Sequence, residues 1–210
     1  EADFLHLLSS WFNPGFLQLK RVDWNSPAQL LEQIIRHEAV HQIDGWDDLR
    51  RRLQPDRRCF AFFHPQLPRE PLIFVEVALL PEMPAAIAPL IDKASSPLLP
   101  SQFKVAAFYS ISNCQPGLKG VSLGNFLIKR VADELKRELP QLKTFCTLSP
   151  IPGFARWVRA GAPCEGLPKP RAERLAQAHR TLLQAGAGDF DKLAHAAALR
   201  ALPNDATQAL

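Results

Sequence analysis

Three short stretches carry residue types at spacings that could do chemistry. His37-Glu38-Ala39-Val40-His41 has the form H-E-x-x-H, which on a helix sets two imidazoles one turn apart as zinc ligands with a glutamate between them as general base. Residues 115–127, QPGLKGVSLGNFL, place Gly117, Gly120 and Gly124 between an apolar run and an amphipathic one. Such a turn aims backbone N–H groups and the positive end of a helix dipole at one place, an anion site that suits phosphate. Ser149, in TLSPIPGF, precedes the rigid turn Pro150-Ile151-Pro152-Gly153 and by its type alone reads as a strand-end residue.

The zinc pattern has a poor setting. Ser26-Pro27 opens a helix with a hydroxyl N-cap and a proline at the first position, and its apolar stripe is Leu30, Leu31, Ile34 and Ile35. That helix is expected to end at about Asp44-Gly45, with His37 and His41 on its flank and no third ligand at a recognisable spacing. The two histidines therefore read as surface or capping residues, His41 with a local task near the Trp46 turn, and no metal site is expected.

The elements that must position the other two stretches follow from periodicity. DFLHLLSSWF (3–12) has helical apolar spacing and stops at Asn13-Pro14-Gly15; Asp47-Asp48 restart a short helix through Leu53. RCFAFFH (58–64) and PLIFVEVAL (71–79) are aromatic and β-branched runs that pair as a hairpin, and KVAAFYSIS (104–112) is a third strand. Residues 81–101 are a proline- and serine-rich loop around at most one helical turn. From the glycine turn a long helix runs to Glu138, with Leu127, Val131, Leu135 and Leu139 recurring at i+4 and Pro140 closing it; KTFCTLS (143–149) is a fourth strand, and the chain from about 170 is helical, broken at GAGD. Strand, glycine turn, helix, strand is a right-handed crossover unit, so the fold class is α+β (α/β with a mixed sheet), and the chemistry belongs where strands end and that helix begins.

Composition narrows the classes further. The 210 residues are enough for one packed domain or a domain with a helical appendage. No apolar run approaches the roughly 18–20 residues that span a bilayer. The net charge of +4, from 25 basic and 21 acidic residues, is too small and too evenly spread to imply nucleic acid, and favours at most an anionic small molecule locally. The dense basic clusters Arg50-Arg51-Arg52 and Arg57-Arg58 read as a solvated helix face and a strand entry. Cys59, Cys114, Cys146 and Cys164 are isolated, without CxxC spacing, as suits reduced, partly buried thiols in a cytosolic compartment. The chain begins with Glu1, shows no basic-then-apolar leader, and reads as excised from something longer.

Within the glycine turn, Lys119-Gly120-Val121-Ser122-Leu123-Gly124 followed by Leu127 resembles the pyrophosphate loop of the N-acetyltransferase superfamily, which cradles coenzyme A. A longer match is more specific. FYSISNCQPGLKGVSLGNFLIKRVADELKRELPQLKTFCTLSPIPGFARW (108–157), with WFNPGFLQLKRVDWNSP (11–27), EAVHQIDGWDDLRRRL (38–53) and RRCFAFFHPQLPREPLIFVEVAL (57–79), resembles the malonyl-CoA decarboxylase family over nearly all of residues 4–160. The resemblance implies an N-acetyltransferase (GNAT)-like fold turned to decarboxylation, malonyl-CoA to acetyl-CoA and carbon dioxide. It implies no metal or organic cofactor, malonyl-CoA as the partner, no nucleic acid or membrane, a homo-oligomer and a cytoplasmic location. By motif position it gives Ser149 as the catalytic serine and Lys119, Gly120, Val121, Ser122, Leu123, Gly124 and Asn125 as the acyl-CoA loop.

The family's expected proton donor is a histidine in an F-H-x-x-N-G-A-like context well downstream of SPIPGF, and a helical domain precedes the WFN segment; neither is found in these 210 residues. His179 and His195 lie in alanine-rich helical sequence without that context, and position 122 is Ser where some members carry Glu. The organisation implied is a helical connector at 1–20, a catalytic acyl-CoA-binding domain at 21–165 and a helical segment at 166–210, a fragment expected to be inactive by itself. The alternatives are an acyl-CoA-dependent acyltransferase, and a non-catalytic acyl-CoA-binding module.

Overall fold

The computed structural model of the chain describes residues 2–118, 120, 121, 123–150, 153–163 and 165–185. The chain divides into two compact units, Glu1–Ser149 and Pro150–Leu210. In the first, helix α1 (Ala2–Trp11) leads to strand β1 (Gln18–Val22), then α2 (Ala28–His37), α3 (Trp46–Arg52), the hairpin β2 (Arg57–His64) and β3 (Leu67–Leu80), the single turn α4 (Ala88–Ile91), β4 (Val105–Asn113), α5 (Gly124–Glu138) and β5 (Thr144–Thr147). The strands form one sheet in the order β1-β2-β3-β4-β5, antiparallel except for the parallel pair β4–β5 that α5 connects. This is the mixed α+β sheet, with its strand, glycine turn, helix and strand unit, that the sequence predicts.

One side of the sheet packs under α5. Leu127, Val131 and Leu135, spaced one helical turn apart and fully buried, share a cluster with Phe60, Phe62, Val75, Val77 and Phe108. The other side carries α2 and α3, whose Leu31, Ile34 and Leu49 pack with Cys59, Ala61, Phe63 and Phe74, while Ala78, Val105, Ala107 and Tyr109 form a third cluster toward α4. The two faces follow strand alternation, with one break. Val77 pairs with Phe108 and Glu76 with Ser110, so Tyr109 is an extra residue in β4. That bulge turns Tyr109 and Ser110 both toward the α2 and α3 side, the kind of local re-aiming that bulges provide.

Three sequence expectations need correction. Helix α2 ends at His37, not near Asp44, because Glu38 leaves helical conformation (φ −64°, ψ 110°) and its side chain accepts from the backbone amides of Val40 and His41. Ser26 does not cap that helix; its Oγ accepts from Asp23 N (3.1 Å), and Pro27 stands at the N-cap. Arg51 and Arg52, expected on a solvated helix face, are inside at 6% and 2% exposure, and Arg57 and Arg58, which open β2 as expected, are buried too, at 3% and 8%. Each meets a carboxylate, some close in sequence and some brought from elsewhere in the fold. Arg51 forms a bidentate pair with Asp56 (2.8 and 3.0 Å), which also holds Arg57 (2.8 Å). Arg52 reaches Asp48 (3.0 Å), Glu76 (3.0 Å) and the Gln42 carbonyl (3.1 Å), and Arg58 grips Glu138 at the end of α5 (2.6 Å). Arg50 alone of the five keeps to the surface, its guanidinium 4.8 Å from the Trp24 ring. Strand β1, not foreseen, is polar and at the sheet edge, with Val22 its one buried residue.

In the second unit, α6 (Phe154–Arg159) follows Gly153, which holds φ +79°, and α7 (Lys169–Ala185) is the expected tail helix. His179 bonds through Nε2 to the Val158 carbonyl (2.9 Å), a helix-to-helix tie.

Candidate functional site

The acyl-CoA loop expected from sequence lies between β4 and α5. Gly120 has φ +95°, a left-handed conformation that a residue with a Cβ adopts only with strain, so this turn depends on glycine there. Gly117 holds no such angle and has open space where a side chain would go, so its glycine character is not demanded by the turn. Val121 donates to the Leu118 carbonyl (3.0 Å), Leu123 is buried at the N-cap of α5, and Gly124 and Asn125 are the helix's first two residues. A Cβ on Gly124 would touch Ile111 Cγ2 (3.7 Å) and Ile73 Cδ1 (3.8 Å), so the helix start rests on the middle of β3 and the last residues of β4. The helix is 15 residues long and has no side-chain cap at its N-cap residue, and the leading amides of a helix have no partner inside it. Lys119 and Ser122, the remaining loop candidates, lie outside the described residues.

Ser149 is exposed, two residues past the end of β5. Leu148 N donates to the Phe108 carbonyl (2.8 Å), which extends the parallel ladder beyond Phe108–Thr147 and brings the Ser149 backbone alongside the bulge at Tyr109 and Ser110. Phe145 packs with the α5 cluster, whereas Cys146 and Leu148 pack on the other side. Strand alternation carried one residue further sets Ser149 on the α5 side, the side of the glycine turn. Ile151 and Pro152 of the following turn lie outside the described residues, as do Cys164 and His195.

The H-E-x-x-H stretch is not helical, so the one-turn geometry that zinc requires is absent. Among the described residues no group of three or more His, Cys, Asp or Glu side chains is arranged to hold a metal ion. Glu38 is instead buried and accepts from Val40 N (2.9 Å), His41 N (2.8 Å), Ser110 Oγ (2.6 Å) and Ser112 Oγ (3.3 Å). The His41 ring lies 6.4 Å from that of Tyr109, and Trp46 packs edge-on against Trp24. Burial outweighs the attraction of Glu38 and lowers the pKa of His41, which keeps its imidazole neutral at pH 7. Nearby, burial pushes the Glu76 carboxyl up to about 7 even against its pairing with Arg52, and raises Tyr109 as well. His41 Nε2, Tyr109 OH and Glu76 Oε1 are buried without a hydrogen-bond partner of good geometry. This polar pocket behind the bulge was invisible to motif reading; the signal available was the alternation of Ser110 and Ser112 in an otherwise apolar strand.

Burial likewise raises the thiols of Cys59 and Cys114, the latter to about 12, so both are inert as nucleophiles; Cys59, Cys114 and Cys146 are free. A groove of about 390 Å3 lined by Arg21, Phe60, Arg130 and Arg137 flanks the far half of α5, away from the glycine turn. Arg21 there pairs with Glu138 (3.3 Å) and Arg137 with Glu134. No helix of the described residues is long and apolar enough to cross a membrane.

Comparison with known proteins gives this arrangement its context. The family model described as the malonyl-CoA decarboxylase C-terminal domain matches residues 15–205. The mitochondrial malonyl-CoA decarboxylase of Anser anser anser is 48% identical over 155 residues, 73% of this chain and 31% of the relative, and that of Mus musculus is 47% identical over 154 residues. The crystal structure of malonyl-CoA decarboxylase from Agrobacterium vitis superposes with a TM-score of 0.77 at 51% identity, over 95% of this chain and 48% of that one. The protein from Rhodopseudomonas palustris gives 0.74 and 52%, also over 95% and 48%. The chain thus spans about half the length of these solved relatives and about a third of the curated ones. The glycine turn, the parallel pair β4–β5 and the TLSPIPGF strand end all fall inside the matched residues, and the chain belongs to the malonyl-CoA decarboxylase family.

Proposed function

We propose that the chain is a catalytic part of an enzyme that converts malonyl-CoA to acetyl-CoA and carbon dioxide. The observation that carries the reading is that β4 serves two features: the glycine turn that starts α5 follows it, and Ser149, just past the end of the parallel partner β5, runs alongside its bulge. In this reading the turn from Lys119 to Asn125 takes the pyrophosphate of coenzyme A on backbone amides at the positive end of α5. The acyl chain then points along the opening between β4 and β5 toward Ser149.

The chemistry asks little of a cofactor. When the bond between the malonyl C2 and its carboxylate breaks, carbon dioxide leaves and the electron pair passes into the thioester as an enolate, after which C2 takes up a proton. The thioester is its own electron sink, so the reaction is proposed to run without metal or organic cofactor. What the protein must supply is a hydrogen bond to charge growing on the thioester oxygen, and orientation of the carboxylate. The Ser149 hydroxyl, exposed at the strand end, is the candidate for one of these tasks.

Two measurements test this. Calorimetry should show coenzyme A binding to the chain, weakened at least about tenfold by Gly120→Val, since a residue with a Cβ strains the left-handed turn on which the amides depend. The protein that carries this chain should release carbon dioxide from malonyl-CoA with no acceptor added. Acetyl transfer to an amine in place of carbon dioxide release would instead establish an acyltransferase.

A further inference from the structure

The glutamate of the H-E-x-x-H stretch is left without a task by the functional reading, yet it is 7% exposed and gathers donors from two separate segments. Its own loop supplies the amides of Val40 and His41, and β4 supplies the hydroxyls of Ser110, at 2.6 and 2.7 Å to the two carboxylate oxygens, and Ser112 at 3.3 Å. Ser112 Oγ accepts in turn from Ala39 N (3.1 Å). Among the described residues Glu38 is in ion-pair contact with no lysine or arginine, so hydrogen bonds are what hold this buried carboxylate.

Between the two serines stands Ile111, whose side chain takes the opposite face. With Ile73 of β3, it forms the surface on which Gly124, the first residue of α5, rests. The same three residues of β4 are therefore gripped on one side by Glu38 and form the seat of the glycine turn on the other. We propose that Glu38 is a positioning residue for the acyl-CoA loop: by fixing Ser110 and Ser112 it fixes Ile111, and with it the backbone amides at the start of α5. This deepens the functional reading above and rests on it. An amide cradle binds an anion well only when it is held in place beforehand, because ordering it at the moment of binding takes free energy from the contact.

The experiment measures the affinity of the 210-residue chain for coenzyme A by titration calorimetry, at a temperature where near-ultraviolet circular dichroism shows each variant folded. Glu38→Ala should weaken binding about tenfold, and Glu38→Gln and Ser112→Ala about three- to fivefold each, since they remove only part of the hydrogen-bond set. Asp56→Asn is the control. It disturbs a buried carboxylate on the same side of the sheet that holds Arg51 and Arg57 but touches nothing in β4. It should lower the melting temperature and leave the affinity of the folded protein within about twofold of the unaltered chain.

A role limited to holding the fold would move Glu38 variants in melting temperature alone, as in the control. If Glu38→Ala does not fold, Glu38→Gln and Ser112→Ala decide the matter. Wild-type affinity in both of them overturns the assignment even though coenzyme A still binds. Failure of the unaltered chain to bind coenzyme A at all removes the functional reading, and this assignment goes with it.

Discussion

On the α5 side of the sheet, Leu127, Val131 and Leu135 meet Phe62, Val75 and Phe108 in a cluster built entirely of apolar side chains. On the opposite side, which also carries the apolar cluster of Phe63, Phe74 and Leu49, Arg52, Asp48 and Glu76 are buried, as are Glu38 and its serines. The first side needs only volume and period, and many sequences could supply them. The second needs each charge to find a named partner, and a single absent partner leaves a charge in the interior. The difference shows where this molecule spends its specificity: behind β4, where the strand must be held in register at a bulge, and not under the helix that starts at the loop.

The comparison can be broken most directly at Arg52. Arg52→Ala leaves Asp48 and Glu76 buried without their cation, and should lower unfolding stability by about 3 to 5 kcal/mol, read from the urea midpoint. On the apolar side, Leu127→Ala removes a fully buried side chain and should cost about 3 kcal/mol through lost transfer energy and a cavity. A Leu127 variant that loses much more than the Arg52 variant would show that the polar side tolerates a missing partner through water, and the contrast would fail.

Titration sharpens the comparison, because two carboxylates of the two sides shift in opposite directions. Burial raises Glu76 from 4.5 to about 7, so its folded state holds the proton more tightly than the unfolded chain does. Its contribution to stability is then present below about pH 4.5 and is lost as pH rises toward about 7. Glu138, at the end of α5, is raised by its partial burial but lowered more by Arg58 and Arg21, and ends below its ordinary value. Its contribution is present above about pH 4.5 and is lost as pH falls through the lowered value. In unfolding series from about pH 3.5 to about pH 7.5, the margin of the unaltered chain over Glu76→Gln should shrink as pH rises, and its margin over Glu138→Gln should shrink as pH falls. Parallel trends for both variants would contradict the assignment of opposite shifts.

The same two sides differ in how far the sequence reveals them. The hairpin β2–β3 and helix α5 are legible because RCFAFFH and LIFVEVAL concentrate aromatic and β-branched residues, and because Leu127, Val131 and Leu135 keep helical period. The edge strand β1 is not, since QLKRV buries only Val22 and shows no alternation. The burial of Arg52 and Arg58 was hidden because each takes a carboxylate from a separate segment, Arg52 from Glu76 at 24 residues' distance and Arg58 from Glu138 at 80. A charge run looks the same whether water or carboxylates surround it. In the loop, glycine spacing marked a candidate site, but only geometry separates Gly120, which the turn requires, from Gly117, which it does not. Ser149 was legible as the residue where a strand gives way to a turn, whereas the chemical role proposed for it came from family resemblance and not from any local signal.

The smallest expected change in stability belongs to the residue with the largest expected change in rate. Ser149 is exposed and follows the last strand residues, so Ser149→Ala should alter unfolding stability by no more than about 0.5 kcal/mol. If its hydroxyl donates to the developing thioester oxyanion, turnover of malonyl-CoA by the protein carrying the variant should fall about 100- to 1000-fold. Coenzyme A affinity should stay within about twofold, because the reacting group and the pyrophosphate are far apart on the same molecule. A fall in affinity that matches the fall in turnover would mean that Ser149 shapes the binding cleft in the manner proposed for Glu38. A fall in turnover alone would separate the two: the polar side behind β4 sets where coenzyme A lies, and the exposed serine acts on what coenzyme A carries.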